Sequence, residues 1–188
     1  AEHAQRLIEA PVTLVGPEDD GAPQGERHLI LVNPPMLNPV LGIRQSASDL
    51  SVQIAGQFLR SDVQTVVFAR SRLTTEWVLT ALREALAPGT LPADQLQAYR
   101  GGYLPNQRRA IERGLREGLV RGVVATNALE LGVDIGDLSA AVLVGYPGTI
   151  AGTRQESGRA GRRRKSSATI LVASANPLDQ YLVAHPRF

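Results

Sequence analysis

Short apolar runs along the chain alternate with longer stretches in which apolar residues recur at every third or fourth position. Thr65-Val66-Val67-Phe68-Ala69 is a continuous apolar run, the pattern of a strand covered on both faces. Gly122–Ala125, Ala140–Val144 and residues 168–173 repeat it, and Gln97-Ala98-Tyr99 reads as a shorter strand. Amphipathic helical patterns lie between them. Ser46-x-x-Asp49 opens the first as an N-terminal cap, with Leu50, Ile54, Phe58 and Leu59 on one face and an end near Ser61. The second covers residues 73–87 on Trp77, Val78, Ala81, Leu82, Ala85 and Leu86, and Pro88-Gly89 stops it. Pro105 starts the third, which runs through Ile111 and Leu115 to a stop near Gly118. Strands alternating with helices at this spacing predict an α/β fold built of βαβ units, with a mainly parallel sheet and helices on both faces. Ligands of such sheets sit outside the carboxyl ends of the strands. Arg70, Arg100, Thr126 and the stretch 145–162 all follow a strand.

The first forty residues are patterned differently. Leu7 and Ile8 sit in a short helical lead-in ended by Pro11. Val12-Thr13-Leu14-Val15 and His28-Leu29-Ile30-Leu31-Val32 flank a turn-rich connection and predict a loose hairpin. The acidic Glu18-Asp19-Asp20 is its solvated tip, and the proline-rich stretch 33–39 is irregular, a hinge or linker edge.

Composition removes several chemistries. Cysteine is absent, and His3, His28 and His185 are far apart, so thiol chemistry and a metal site are not expected. A net charge of +2 leaves any affinity for nucleic acid to local patches. Lys165 is the only lysine and follows Arg164 rather than glycine, so the chain cannot form a phosphate-binding Gly-Lys-[Ser/Thr] loop of its own. It starts without methionine and shows no signal-peptide pattern, which reads as a piece of a longer cytosolic polypeptide. At 4% aromatics, base stacking is a weak expectation, and Trp77 and Tyr99 read as packing residues.

The strongest chemical signal is Gln155-Glu156-Ser157-Gly158-Arg159-Ala160-Gly161-Arg162, followed by Arg163-Arg164-Lys165. If residues 153–163 are helical, Gln155, Arg159 and Arg162 stack along one face, a fork for a polyanion. Gly158 and Gly161 each cost a helix interior about 1 kcal/mol relative to alanine, so a phosphate or another backbone should approach there. Guanidinium groups in register can grip phosphate oxygens bidentately and act as an arginine finger. A solvated basic face is the plainer alternative.

Taken together, these stretches resemble the second RecA-like domain of a superfamily 2 helicase. Gln155, Gly158, Arg159, Gly161 and Arg162 match motif VI, the run Ala125-Thr126-Asn127-Ala128-Leu129-Glu130-Leu131-Gly132-Val133-Asp134 matches motif V, and Val66-Val67-Phe68-Ala69-Arg70-Ser71 matches motif IV. Tyr99-Arg100-Gly101-Gly102 stands where many members carry His-Gly. Within the superfamily the chain is similar to DNA-repair helicases of the mitomycin repair factor A type. The resemblance implies a RecA-like three-layer sandwich over residues 41–188, with 1–40 as lead-in and hairpin or linker to a first motor domain absent from this chain. It also implies ATP, with Mg2+ held by that first domain, and DNA, with RNA possible, as the tracked strand. Arg162 would be the finger at the γ-phosphate, with Arg159 and Gln155 beside it and Gly158 allowing approach. Gly132 and Asp134 would face the ribose. Arg70, Ser71, Arg100, Gly101, Thr126 and Asn127 would meet the sugar-phosphate backbone. For Thr126 and Asn127 a helix cap through Asn127-x-x-Glu130 is the alternative, and for Arg70 a surface ion pair. A non-enzymatic nucleic-acid-binding or docking module is the competing reading of the whole.

Overall fold

The structure is a computed structural model that describes residues 2–16, 19, 21, 25–86, 91–126, 138–161 and 166–186. In chain order its elements begin with helix α1 (Glu2–Ile8) and strands β1 (Arg27–Val32), β2 (Met36–Asn38) and β3 (Ile43–Arg44). Helix α2 (Ala47–Arg60), β4 (Thr65–Phe68), α3 (Arg72–Leu86), β5 (Leu96–Tyr99) and α4 (Pro105–Arg116) follow. The chain continues through β6 (Gly122–Ala125), β7 (Ala140–Val144), α5 (Ile150–Ser157), β8 (Ser167–Val172) and α6 (Pro177–Ala184).

Six strands form one sheet in the order β1-β8-β7-β4-β6-β5, and every pairing is parallel. Strands β4, β6 and β7 are buried at every position, as their unbroken apolar sequences require of strands covered on both sides. Helices α2 and α3 pack on one face around Val67, Val78, Leu82 and Val142. On the other face Ile111 and Leu115 of α4 meet Val66, Phe68 and Leu143. This is the predicted α/β sandwich with helices on both faces.

The predicted caps form. Ser46 Oγ accepts from Asp49 N at 3.2 Å and opens α2, which ends at Ser61. Pro105 sits in the first turn of α4, and Gly118 takes a positive φ of 73° just beyond its end. The hairpin predicted from residues 12–15 and 28–32 does not form. Residues 12–15 take no regular structure, while β1 pairs in parallel with β8 from Arg27↔Ser167 to Val32↔Val172. A half-exposed apolar strand finds more hydrogen-bonding partners at the open edge of a large sheet than in an isolated two-stranded pair. The antiparallel pair lies instead in the proline-rich stretch, between β2 and β3. Tyr99 is 1% exposed, the packing role expected of it, whereas Trp77 is 45% exposed and is not a core residue. Among the described residues no helix is long and apolar enough to cross a membrane.

A buried carboxylate organises the carboxyl ends of β7 and β8. Asp179 Oδ2 accepts from Ser174 N at 2.8 Å and Tyr146 N at 3.2 Å, and Gly145, at φ 81°, leaves it room. Asp179→Ala is predicted to lower unfolding stability by about 2–3 kcal/mol through orphaned backbone donors, readable by urea denaturation. Burial raises the hydroxyl of Tyr99, and the hydrogen bond it donates to Glu112 Oε1 at 2.8 Å and that carboxylate's charge raise it further, to about 12. A folded-state pKa above the ordinary 10 means this contribution is complete below pH 10 and is lost as the pH rises to about 12. Tyr99→Phe should flatten the stability loss in that window, measured by denaturation at stepped alkaline pH.

Candidate functional site

Because the strands are parallel, the sheet presents one edge of carboxyl ends and one edge of amino ends, and the candidate residues divide between them. At the carboxyl edge Arg70 follows β4, Arg100 and Gly101 follow β5, and Thr126 follows β6. Arg70 is exposed, with no ion pair among the described residues, and lines two clefts, of about 570 and 310 Å³. Gln155, exposed on α5, shares the smaller cleft with Arg70, Thr149 and the buried Glu156.

Other candidates at this edge already have local duties. Ser71 Oγ accepts from Thr74 N at 3.0 Å and lies 2.8 Å from Thr74 Oγ1, capping α3. Arg100 Nε donates to Glu76 Oε1 at 2.7 Å, and its guanidinium stands 5.1 Å from the centre of the Tyr103 ring. Gly101 lies beside Arg72. Thr126 N donates to Tyr99 O at 3.2 Å, continuing the β5–β6 ladder by one rung. Between Arg70 and Arg100, Arg70 is the one left for an anion, since Arg100 would have to leave a carboxylate.

The helix that would carry Gln155, Arg159 and Arg162 on one face is shorter than predicted. Helix α5 ends at Ser157 with Gly158 as its C-terminal cap, and Gly158 N closes the last turn on Arg154 O at 2.9 Å. Beyond it the chain reaches the opposite edge of the sheet. Ala160 bridges to Leu138, and Gly161 N donates to Leu138 O at 2.9 Å, just before β7 begins. Gly161 has φ 83°, and a Cβ there would lie 2.2 Å from Ser167 Oγ and 3.6 Å from Arg27 Cγ, at the first residues of β8 and β1. The segment following β7 therefore does not stay at the carboxyl edge: α5 runs back and delivers Arg159 to the amino ends of β7, β8 and β1. Arg159 is 7% exposed and engaged with a partner, as is the buried Glu156. At Gly161 the close approach expected of a glycine is made by the chain itself.

Arg162, Asn127, Gly132 and Asp134 lie outside the described residues, as do Arg163, Arg164 and Lys165. Among the described residues no group of His, Asp or Glu side chains could hold a metal ion. The residue that sequence reasoning passed over is Arg44, which donates to Pro34 O at 2.8 Å and stands with Arg70 in the larger cleft beside Gln45, Ser46 and Ser48. It comes from a two-residue strand after the proline-rich stretch, too short to give a periodic signal.

Residues 50–164 match the helicase conserved C-terminal domain family. The chain belongs to this family. It is 49% identical over 187 residues to the uncharacterized ATP-dependent helicase YprA of Bacillus subtilis, covering 100% of this chain and 25% of that protein. It is 40% identical over 177 residues to the ATP-dependent helicase HRQ1 of Saccharomyces cerevisiae, covering 93% of this chain and 16% of the other. A crystal structure of the DUF1998 helicase MrfA bound to DNA superimposes with a TM-score of 0.91 at 49% identity, over 98% of this chain and 24% of that one. The same protein bound to DNA and AMPPNP gives 0.89 at 49% identity, over 98% and 25%. The resemblance to the mitomycin repair factor A type and the RecA-like fold both hold. The chain spans a quarter or less of the length of these relatives.

Gly161→Ala should destabilise the domain by about 2–4 kcal/mol, since it adds a side chain at left-handed backbone and against Ser167. Thermal unfolding of the variant beside Gly56→Ala in α2, where an added Cβ meets only the flexible Arg60 side chain at 3.4 Å, separates that strain from a general loss of glycine freedom.

Proposed function

We propose that this chain is the second motor domain of an ATP-dependent DNA-repair helicase. The observation that carries the proposal is the division of candidate residues between two edges of one rigid sheet, joined by α5. Gln155 lines the carboxyl-edge cleft with Arg70, and a short way along the same segment Arg159 sits at the amino edge. The nucleotide candidates Gln155 and Arg159 and the strand candidate Arg70 are carried by one sheet and move as one body, which converts domain closure into displacement of the strand.

The donor chemistry suits a polyphosphate. Gln155 offers an exposed amide, and Arg159 offers the guanidinium of a residue that burial leaves few rotamers to sample. Arg162, three residues after Arg159 in the sequence, is the residue we assign as finger, with Gly132 and Asp134 toward the ribose. The chain lacks a phosphate-binding Gly-Lys-[Ser/Thr] loop, so the phosphates and Mg2+ belong to a first RecA-like domain of the same polypeptide. ATP bound there supplies the phosphoryl-transfer chemistry. The residues of this chain stabilise charge and sense closure, and without the first domain it hydrolyses nothing. Arg70, with Thr126 and Asn127, holds the backbone of the tracked DNA strand. The structures of MrfA with DNA and with AMPPNP support the choice of ligands for so similar a domain.

In the full-length protein Arg162→Ala should cut DNA-stimulated ATP hydrolysis by about 10³-fold or more while DNA affinity stays within roughly twofold. Arg70→Ala should do the reverse, weakening DNA binding and lowering the slope of log affinity against log salt by about one. A steady-state ATPase assay and a salt titration of DNA binding read the two. Full DNA-stimulated hydrolysis in Arg162→Ala would remove the finger assignment.

A further inference from the structure

Trp77 belongs to the apolar face of α3 by sequence period, yet it is 45% exposed, and Leu73 one turn before it is 81% exposed. The core below them is filled by Thr75, Val78, Leu79 and Leu82, so the buried stripe of α3 is rotated away from the indole. Trp77 and Leu73 instead wall an open trough of about 370 Å³ with Ser46, Ser48 and Thr74. Ser46, Ser48 and Thr74 also line the cleft of about 570 Å³ that holds Arg44 and Arg70. The two hollows therefore share a wall of hydroxyls. A basic cleft opens at one side of it and a half-exposed indole stands at the other.

We infer that Trp77 is a stacking platform for a nucleobase of the single strand whose backbone runs through the Arg44–Arg70 cleft. The inference rests on the proposed strand contact at Arg70 and extends it to a base. A docking protein helix would need a continuous apolar stripe, but here only Trp77 and Leu73 are apolar, and the rest of the wall is hydroxyl. A strand of nucleic acid needs the combination present: cations for phosphate on one side and a π-face for a base on the other. Arg44 is already steadied by its bond to Pro34 O, so its position in the cleft is not created by the ligand. Glu76, the carboxylate adjacent to the indole in sequence, is engaged by Arg100 and so is partly neutralised toward a phosphate chain. Indole stacking is indifferent to base identity, because every base has a π-face. Trp77 therefore adds affinity without sequence preference, as suits a translocating motor.

The test uses the full-length protein and two probes of equal length, a thymidine single strand and the same strand made wholly of abasic sites. Trp77→Ala should weaken binding of the thymidine strand by roughly 5- to 50-fold, leave the abasic strand unchanged, and be largely rescued by Trp77→Phe. Arg70→Ala should weaken both strands alike. Equal loss on both strands with Trp77→Ala, or loss on neither, overturns stacking, and the first result would point to a protein domain docked on the trough. DNA-stimulated ATP hydrolysis that persists in either case leaves the motor reading standing. Failure of the unaltered protein to bind the thymidine strand overturns the motor reading and the stacking inference together. Unchanged thermal unfolding of Trp77→Phe guards against a folding defect, since the side chain is half exposed.

Discussion

A sheet whose strands all run the same way has edges of different chemistry, and this domain is arranged around that asymmetry. The central strands β4, β6 and β7 are apolar and buried at every position, which forces helices onto both faces and leaves only the two ends of the sheet for polar chemistry. Side chains that follow a strand emerge at the carboxyl edge, and a connecting helix that returns across a face must finish at the amino edge. The length of α5 therefore decides where motif VI goes. Gly158 closes the helix on Arg154 and Gly161 bonds Leu138 beside Ser167, so the backbone is fixed to the helix on one side of Arg159 and to the sheet on the other. An arginine whose backbone is fixed on both sides and whose side chain is buried has less conformational freedom to lose on meeting a phosphate.

The carboxyl edge is organised by interactions that have nothing to do with a ligand. Asp179 ties the ends of β7 and β8 together, Ser71 caps α3, and Arg100 is occupied by Glu76 and Tyr103. Their combined effect is to leave Arg70 and Arg44 as the cations facing the larger cleft. Polar groups satisfied inside the domain fix the loops, and the unsatisfied remainder is available for recognition. Motif membership alone does not separate these two populations. Arg70 and Ser71 are neighbours in one motif, yet one points into two clefts and the other ends a helix.

Much of the fold is local enough to be read from the chain. The strands β4, β6, β7 and β8, the Ser46 cap and the Pro105 start each depend on residues within one element, and each appears where its pattern predicts. The misplaced features all depend on distant partners. Residues 28–32 look like half of a hairpin until β8 is available beside them. Trp77 fits the helical period of α3, but the rotation of that helix is set by its packing against α2 and the sheet. The continuous helix through Arg162 has acceptable local periodicity, and its early end follows from the pull of Leu138 and Ser167 on the two residues around Gly161.

From the sequence by itself came the α/β class, the order of the elements, the motif set that marks the helicase C-terminal family, and the lack of a phosphate loop. These follow from local propensity, hydrophobic period and residue identity, which do not need a third dimension. Only the tertiary structure decided that the motif residues occupy opposite edges of the sheet, that Arg44 joins Arg70 in one cleft, and that Trp77 faces outward. Each of those depends on strand order and helix rotation, which are settled by contacts between residues far apart in the chain and leave no trace in any one stretch of it.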